Sequence, residues 1–340
     1  MADRPVADTP IIEPRIPMLI HVTGARGFLG RHVVASLEQR GDCTVRAWGR
    51  SDGDLRDPAV ACRLLADADT IVHLAADVGG VGYLRDSAAR AFHDNFQLGM
   101  SVIRAACQGR AGRVVLAGTP CSYSAAVPLP LSEEALLEGV PSGDTSSYGY
   151  AKLAISIAAR EILSMHGRDS VTVIPANLYG PGDTFDEQRG HVVAALLRKA
   201  LLAVARGQKS FDVWGDGSAT RDFVYVGDVA DGIAAIALAD RPLEGAALNL
   251  GSGRETSIAE IAEVVSAAAG SGVRPRFLAD KPVGCTRRVM AVKRAADAFG
   301  YRAVTTLEQG IHRTVDWLRD SGAIAVWLES ERAATGRRAA

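Results

Sequence analysis

Near the start of the chain stands the run Val22-Thr23-Gly24-Ala25-Arg26-Gly27-Phe28-Leu29-Gly30. It follows the apolar stretch MLIHV at residues 18–22, which predicts a buried strand. It opens the stretch FLGRHVVASLEQR at residues 28–40, whose apolar spacing predicts a helix closed by Gly41. Glycines at the spacing GxxGxxG between a strand and a helix are typical of a turn that binds the pyrophosphate of a dinucleotide.

Each glycine of this turn has its own predicted role. Gly24 permits the tight turn, Gly27 lets the backbone approach a pyrophosphate, and Gly30 lets the helix pack closely on the sheet. Phe28 and Leu29 begin the helix, whose N-terminal amides face the phosphate charge. We therefore assign all five residues to a dinucleotide site.

Short apolar runs and amphipathic stretches alternate from residue 18 to about residue 178. Strands that alternate with helices form a parallel sheet covered on both faces, so the predicted fold class is α/β, a Rossmann doubly wound parallel sheet. After Gly180 the alternation weakens, which predicts a smaller C-terminal α/β substrate domain. The predicted boundaries are residues 18–178 with 223–239 for the first domain, 179–222 with 240–327 for the second, and 1–17 and 328–340 for flexible tails.

Composition argues against several classes of protein. The 340 residues are 48% hydrophobic and 23% charged, with a net charge of −1, so the chain lacks the basic excess of a nucleic-acid or membrane-surface binder. No apolar run approaches the roughly 18 residues that span a bilayer. The five cysteines are scattered without a CxxC pair, which argues against metal sites and disulfides and fits a reducing cytoplasm.

The end of the second predicted strand bears on the type of cofactor. An acid there would chelate the ribose diol of NAD, whereas a basic residue accommodates the 2′-phosphate of NADP. The stretch VRAWGRS at residues 45–51 has no acid before Asp52 and carries Arg50, so NADP is favoured, with NAD possible. Asp57 has two open interpretations, an acceptor for the adenine amine or an acid at a helix N-terminus.

Tyr148 and Lys152 are four residues apart on a predicted helix, so both side chains lie on one face. A nearby ammonium favours the phenolate and is expected to move the tyrosine pKa from about 10 toward neutral pH. Tyr150 lies two positions along and points elsewhere. After a dinucleotide motif, this pair indicates a proton-transferring tyrosine and its lysine.

Several features together resemble the extended short-chain dehydrogenases/reductases, over about residues 18–320. They are the glycine turn, HLAA at residues 73–76, Asn95, Thr119 at a strand end, and the YxxxK pair. Within that superfamily the middle of the chain is similar to the GDP-L-fucose synthases, which epimerise a 4-keto sugar at C3 and C5 and then reduce C4. It also resembles the GDP-mannose 3,5-epimerases. The shared stretches are AADVGGVGY, TPCSYS, NLYGPGDTF, GHVVAALLRK, VWGDGSATRDFVYVGDVA and KPVGCTRR. The resemblance assigns Ala75, within HLAA, to the cofactor site.

The resemblance implies roles for the matching residues. Thr119, Tyr148 and Lys152 match a hydride-transfer triad, with Lys152 also on the cofactor ribose. Cys121 and His191 match a cysteine and a histidine that act as acid and base. The residues that match positions binding the nucleotide-diphosphate sugar are Asn177, Lys199, Trp214, Arg221 and Lys281. The resemblance also implies a homodimer.

The chemistry of these side chains agrees with the implied roles. A 4-ketone acidifies the hydrogens on C3 and C5, so epimerisation needs one group to remove a proton and another to return it from the opposite face. A thiol with a pKa of about 8.5 and an imidazole with a pKa of about 6.5 bracket neutral pH and suit that work. Taken alone, Cys121 would be read as a buried core thiol and His191 as a helix-start residue.

The chain departs from the synthase pattern close to the expected sugar site. Asp77 stands where the pattern has lysine, Pro120 replaces a small residue, and Ser124 replaces a proline. Arg189-Gly190 stands where the pattern has asparagine-serine. These changes bear on the identity of the substrate more than on the chemistry.

The sequence thus predicts an NADP-dependent 3,5-epimerase/4-reductase that acts on a nucleotide-linked 4-keto-6-deoxyhexose. One alternative is a redox-neutral nucleotide-sugar epimerase with tightly bound NAD(P). A 4,6-dehydratase fits less well, because the strand-ending Thr119 is followed by Pro120-Cys121 rather than an Asp-Glu pair. A catalytically inactive dinucleotide sensor is the other class, although such proteins typically lose the tyrosine or the lysine.

Overall fold

The computed structural model describes residues 17–186, 189–281, 283 and 286–336. The first half of the chain forms β1 (Met18–Thr23), α1 (Phe28–Arg40), β2 (Cys43–Trp48), α2 (Pro58–Leu65), β3 (Thr70–His73), α3 (Val81–Asp86), α4 (Ala88–Gln108), β4 (Arg113–Ala117), α5 (Ser146–Met165), β5 (Asp169–Pro175) and β6 (Asn177–Tyr179). The second half forms α6 (Val192–Ala205), β7 (Ser210–Trp214), β8 (Thr220–Arg221), β9 (Phe223–Tyr225), α7 (Val226–Ala237), β10 (Ala246–Leu250), β11 (Thr256–Ser257), α8 (Ile258–Ala269), β12 (Arg274–Leu278), β13 (Arg287–Arg288), α9 (Lys293–Phe299), α10 (Leu307–Asp320) and α11 (Ala323–Gly336). Short 3-10 helices cover Pro120–Ser122 and Glu133–Leu137. Among the described residues, no helix is both long and apolar enough to cross a membrane.

The centre of the molecule is a six-stranded sheet in the order β10-β5-β4-β3-β1-β2. Every neighbouring pair is parallel; Ile20, for example, lies between Val45 of β2 and Thr70 of β3. The chain winds in one direction from β1 to β2 and in the other from β3 onward. A crevice therefore opens beyond the carboxyl ends of β1 and β3, which is where such sheets bind ligands. The predicted fold class is confirmed.

Helices cover both faces of this sheet. Neighbouring residues Ile71 and Val72 of β3 are both fully buried and belong to two different apolar clusters, one on each face. On one face α1 packs against α7, with Leu37 buried, and on the other α4 packs against α2 and α5, with Ile103 buried. Each fully buried side chain of this size stabilises the fold by about 1.5–3 kcal/mol.

A second, smaller unit follows β6. α6, α8, α10 and α11 pack with the parallel pair β7 and β12, around the buried side chains Leu197, Phe211, Ile261 and Val315. β8, β11 and β13 form a three-stranded sheet at its edge. β6 pairs with β9, and α7 then returns to the first unit and packs on α1.

One strand that the sequence assigned to the second domain belongs to the first. β10 pairs in parallel with β5 and completes the six-stranded sheet, with Leu248 and Leu250 buried. α9 also packs on β10. The prediction for residues 240–327 is therefore wrong at this strand. The reason is that the short run AALNL is separated from the other sheet strands by all of α6 to α7, so the local pattern carries no sign of its partner.

The C-terminal tail predicted at residues 328–340 is helical as far as Gly336 in α11, which corrects that prediction. The ring of Trp327 lies 5.7 Å from the ring of Phe185, and the Arg198 guanidinium lies 5.3 Å from the Trp327 ring. These contacts anchor an alanine-rich segment that has no strong pattern of its own. Residues 1–16 and 337–340 of the predicted tails lie outside the described residues.

Candidate active site

The turn between β1 and α1 has a conformation that requires its glycines. Gly24 has a φ of 68°, and a Cβ there would lie 2.6 Å from the backbone nitrogen of Ala75. A Cβ at Gly30 would lie 2.1 Å from the carbonyl oxygen of Gly24, so α1 packs directly on the turn. Gly27 is the N-cap of α1, and neither a side-chain cap nor an acid occupies this helix start. The first amides of the helix are therefore suited to an anion.

Basic side chains surround the turn that follows β2. Arg26, from the glycine turn, donates to the hydroxyl of Ser51 and pairs with Asp52 at 3.1 Å. The carboxylate of Asp52 also accepts a hydrogen bond from the amide of Gly49 at 2.7 Å, so this first acid after β2 is engaged within the turn. Arg50 is exposed next to Ser51. In an NAD site, an acid at this turn would bind the two hydroxyls of the ribose. Arginines at the same place instead suit the 2′-phosphate of NADP. Arg26 was not assigned to the site from the sequence, although its place directly before the second glycine was an available signal.

Asp57 and Ala75, both predicted at the cofactor, occupy different surroundings. Asp57 caps α2, with its Oδ1 accepting from the amide of Ala59 at 2.8 Å. Of the two interpretations of Asp57, an adenine contact or an acid at a helix N-terminus, the structure shows the second. Ala75 follows β3 at the carboxyl edge of the sheet, and its amide donates to the Thr23 hydroxyl at 3.4 Å. Ala75 therefore lies against the glycine turn.

Tyr148 and Lys152 lie one turn apart on the buried face of α5, 7% and 5% exposed. The Lys152 Nζ is 5.9 Å from the centre of the Tyr148 ring. Burial lowers the pKa of Lys152 to about 8. Burial also raises the pKa of Tyr148, and the charges of Cys121 and Asp77 add to that rise. The expected fall of the tyrosine pKa is thus wrong here, because loss of water around the phenolate outweighs the attraction of the ammonium.

Thr119 and Cys121 lie where β4 runs into the 3-10 helix Pro120–Ser122. Thr119 is 6% exposed and caps this helix, its Oγ1 accepting from the Cys121 amide at 3.2 Å. Its hydroxyl hydrogen is left to donate to another oxygen. Cys121 packs against the apolar cluster that contains Tyr148, and a Cβ at Gly149 would lie 2.1 Å from the Cys121 carbonyl oxygen. The threonine hydroxyl, the thiol and the tyrosine are therefore held close together.

Two arginines are partners across β8 and β13, and one of them reaches this thiol. Arg221 of β8 and Arg288 of β13 are register partners on neighbouring parallel strands. The Arg288 Nη1 is 3.9 Å from the Cys121 Sγ, and Arg221 donates to the carbonyl of Thr220 at 2.7 Å. Two adjacent guanidinium groups suit a doubly charged anion such as a diphosphate. Arg288 was not assigned from the sequence; its signal was the second arginine of the stretch KPVGCTRR.

His191 is the N-cap of α6, at the end of the loop that follows β6. Its side chain is exposed, yet burial by the surrounding protein lowers the pKa of its imidazole. That combination is typical of a side chain on the wall of an open cleft. In the described part of the loop before it, the Gly190 amide donates to the Asp186 carbonyl at 2.8 Å. Glu187 and Gln188 of this loop lie outside the described residues.

Two of the predicted substrate residues come together where α6 meets β7. The Lys199 Nζ lies 5.4 Å from the centre of the Trp214 ring and donates to the Asp212 carbonyl at 3.1 Å. Trp214 is 55% exposed, so its indole offers apolar surface to a planar group.

The remaining two substrate residues are held differently. The side-chain amide of Asn177 donates to the Asp222 carbonyl at 2.9 Å and so ties β6 to the strand beside it. Lys281 is exposed in the loop after β12 and pairs with Asp280 at 3.8 Å. Over the described part of the chain, no group of three or more His, Cys, Asp or Glu side chains could hold a metal ion.

Comparison of this chain with known proteins identifies its family. The model of the NAD dependent epimerase/dehydratase family matches residues 20–251. GDP-L-fucose synthase 1 of Arabidopsis thaliana is 31% identical over 300 residues, which cover 88% of this chain and 92% of that protein. GDP-L-fucose synthase of Escherichia coli (strain K12) is 30% identical over 311 residues, covering 89% and 97%.

Solved structures show the same relationship. A crystal structure of a GDP-L-fucose synthetase from Naegleria fowleri bound to NADP superposes with a TM-score of 0.81 at 26% identity, covering 94% of this chain and 98% of that one. The family model spans more than half of the chain, including the glycine turn and the Tyr148–Lys152 pair. The chain therefore belongs to the NAD dependent epimerase/dehydratase family.

Proposed function

We propose that this protein is an NADP-dependent 3,5-epimerase/4-reductase that acts on a nucleotide-linked 4-keto-6-deoxyhexose. The observation that carries the proposal is the burial of Thr119, Tyr148 and Lys152 beside Cys121. This combines groups for ketone reduction with a separate thiol for proton exchange. The relatives named GDP-L-fucose synthase support the same pair of reactions and a GDP-linked substrate.

The cofactor site fits NADP. The glycine turn is a cradle that any Cβ at Gly24 or Gly30 would fill, and the uncapped start of α1 would hold the pyrophosphate. Arg26 and Arg50 would hold the 2′-phosphate, with Ala75 and Lys152 nearer the nicotinamide end. The cofactor supplies the hydride when bound. A related structure that contains NADP supports this choice over NAD.

At C4 the proton comes from Tyr148. Its raised pKa keeps the hydroxyl protonated at neutral pH, so it acts as the acid toward the ketone oxygen. Thr119 directs its hydroxyl hydrogen to the same oxygen, because its Oγ1 already accepts from the backbone. Lys152, still mostly protonated at neutral pH, binds the ribose and stabilises the phenolate that the transfer leaves.

Before reduction, Cys121 and His191 exchange protons at C3 and C5. The 4-ketone acidifies these positions, and epimerisation requires removal of the proton on one face and its return on the other. The lowered pKa of His191 keeps its imidazole neutral at pH 7, able to accept a proton. Its exposure lets that proton exchange with solvent.

The rest of the substrate is held by cations and by an indole. Arg288 lies beside Cys121, and Arg221 is its partner on the neighbouring strand, so the two would bind the diphosphate next to the reacting sugar. Trp214, over half exposed, would stack on the base, with Lys199 fixed against its ring.

We further propose that two copies assemble through α4 and α5. These helices pack on each other and carry four exposed large apolar side chains, Phe92, Tyr150, Ile157 and Met165, at 40%, 39%, 37% and 85% exposure. Phe92 also stacks with Phe96 at 6.0 Å. Apolar side chains grouped on two adjacent helices are typical of a face covered by another subunit.

Mass spectrometry of the product tests the reaction. The protein is incubated with GDP-4-keto-6-deoxymannose and NADPH in deuterated water. We expect carbon-bound deuterium at both C3 and C5, together with the two-hydrogen gain of reduction. A reduced product without deuterium on carbon would instead identify a simple 4-reductase. Deuterium without NADPH consumption would identify an epimerase that does not reduce C4.

A further inference from the structure

We propose that Asp77, Tyr83 and Arg189 form a latch that positions the loop carrying His191, and that this latch controls proton exchange rather than hydride transfer. The inference rests on the proposed function, because His191 matters only if the sugar is epimerised. Asp77 lies in the segment after β3 and Tyr83 lies six residues later in α3, whereas Arg189 lies far along the chain in the loop before α6.

The side chains of the latch contact one another in a closed triangle. The Tyr83 hydroxyl donates to the Asp77 carboxylate at 2.6 Å. The Arg189 guanidinium lies 4.3 Å from the centre of the Tyr83 ring and 3.6 Å from the Asp77 carboxylate. Arg189 therefore makes a stacking contact and an ion pair at once, which a flexible lysine would reproduce only in part.

The backbone holds the same two segments together. The Gly80 amide donates to the Arg189 carbonyl at 3.0 Å, and the Arg189 guanidinium donates to the Val78 carbonyl at 3.2 Å. His191 stands two residues after Arg189 at the start of α6. Because only Gly190 separates the two residues, we expect a displacement of Arg189 to displace the imidazole.

The anchor of the latch is rigid and close to the reacting groups. Asn95 is 1% exposed and grips the backbone of Asp77 on both sides, accepting from its amide at 3.1 Å and donating to its carbonyl at 2.8 Å. Tyr83 packs against the buried cluster of Leu84 and Tyr148. The latch thus ties the His191 loop to the wall that contains the proton donor Tyr148.

The latch includes positions at which this chain departs from the pattern it resembles. A lysine at position 77 would repel Arg189, whereas Asp77 attracts it. A Cβ at Gly190 would lie 2.6 Å from the Asp186 carbonyl oxygen and 2.8 Å from that of Thr184, so this loop conformation excludes a serine there. The three departures are compatible with one loop conformation.

Asp77 could instead contact the sugar directly, but its carboxylate is already engaged. It accepts from Tyr83, pairs with Arg189, and lies 3.4 Å from Arg90 of α4. Its side chain is only 23% exposed. We therefore treat it as a positioning residue.

The test separates the two chemical steps in Arg189→Met and Arg189→Lys. Proton exchange is followed as deuterium incorporation at C3 and C5 of GDP-4-keto-6-deoxymannose. Hydride transfer is followed separately in the reverse direction, with GDP-L-fucose and NADP⁺, which needs no epimerisation. We expect Arg189→Met to slow deuterium incorporation at one carbon by about 10- to 100-fold, the range that a displacement of about 1 Å produces. Reverse hydride transfer should stay within about twofold, and Arg189→Lys should fall between Arg189→Met and wild type.

Two further arginines serve as controls. Arg85→Met removes an exposed arginine of α3 that pairs with its neighbour Asp86, and should change neither step. Arg90→Met removes the other cation at Asp77 and a hydrogen bond to the Tyr83 hydroxyl at 2.6 Å, but no contact to the loop, and should slow exchange by less than about threefold.

Three outcomes would overturn the latch. They are unchanged exchange in Arg189→Met, an equal loss of both steps in that variant, and an Arg90→Met defect as large as that of Arg189→Met. A wild-type protein that incorporates no deuterium would refute the proposed function itself, whereas normal exchange in wild type and Arg189→Met alike would refute only the latch.

Discussion

Replacing Gly149 with alanine tests how strongly the rates of hydride transfer and proton exchange depend on the position of Cys121. In a helix interior, alanine is favoured over glycine by about 1 kcal/mol, so local propensity alone predicts a more stable protein. A Cβ at Gly149 would, however, lie 2.1 Å from the carbonyl oxygen of Cys121 and 2.7 Å from its carbonyl carbon. Because the atoms that the new Cβ would meet belong to the backbone, a change of side-chain rotamer cannot relieve this clash. To reach an ordinary contact of about 3.5 Å, α5 and the 3-10 helix must separate by more than about 1 Å.

That separation would pull Tyr148 away from Cys121 and from Thr119. We expect Gly149→Ala to lower both hydride transfer and deuterium incorporation by about 10²-fold, and to lower the free energy of unfolding by about 1–3 kcal/mol. Stopped-flow NADPH oxidation, mass spectrometry and guanidinium unfolding measure the three quantities.

A second glycine provides the matched control. Gly82 lies within α3, and a Cβ there would have no atom within 4 Å. Gly82→Ala should therefore leave both rates unchanged and add up to about 1 kcal/mol of stability. Gly149→Ala with near wild-type rates, or Gly82→Ala with an equal defect, would show that the contact with Cys121 does not set the geometry of the site.

Three other predictions follow from the site. NADPH should bind more tightly than NADH, and Arg26→Met or Arg50→Ala should reduce that preference in a fluorescence titration; equal binding of both cofactors by wild type would contradict the assignment. Cys121→Ala and His191→Ala should each lower deuterium incorporation by about 10²–10⁴-fold while reverse hydride transfer continues, and wild-type labelling in both variants would remove them as acid and base. The pKa of Lys152 is about 8 in the folded protein and about 10.4 in the unfolded chain. Burial of the charged ammonium therefore lowers the free energy of unfolding below pH 8, and this effect disappears as the pH rises from about 8 to about 10.4. Unfolding of the protein without cofactor should therefore show stability rising with pH over this window by up to about 3 kcal/mol relative to Lys152→Met, and parallel pH profiles would contradict the lowered pKa.

Local signals predicted most of the first unit. The glycine turn and the change from strand to helix spacing identified β1, α1 and the parallel sheet, because these features depend on neighbouring residues alone. β10 could not be placed in the same way, since its partner β5 lies some seventy residues earlier and nothing in AALNL encodes that pairing. The end of α11 was missed for a related reason. Its anchor is the stacking of Trp327 on Phe185, a contact between distant segments.

The candidate site shows the same division. The four-residue spacing predicted that Tyr148 and Lys152 share one face of a helix. It did not predict whether water reaches the two side chains. The pKa of the tyrosine rises because the fold buries both side chains, and burial depends on the whole structure. Arg288 likewise reaches Cys121 only through the pairing of β13 with β8. The sequence contained both residues, while their proximity is a product of topology.

After leaving the first unit, the chain returns to it at β9–α7, β10 and α9. This has a consequence for how the protein responds to proteolysis and unfolding. In a chain of domains joined by one linker, a single cut releases two pieces that can each remain folded. Here the backbone passes back and forth between the units, so a nick in the loop after α6 leaves the halves interlocked. A fragment that ended at β6 would also lack the strand covering β5, and its open sheet edge would favour aggregation. We therefore expect the two units to unfold together in one transition.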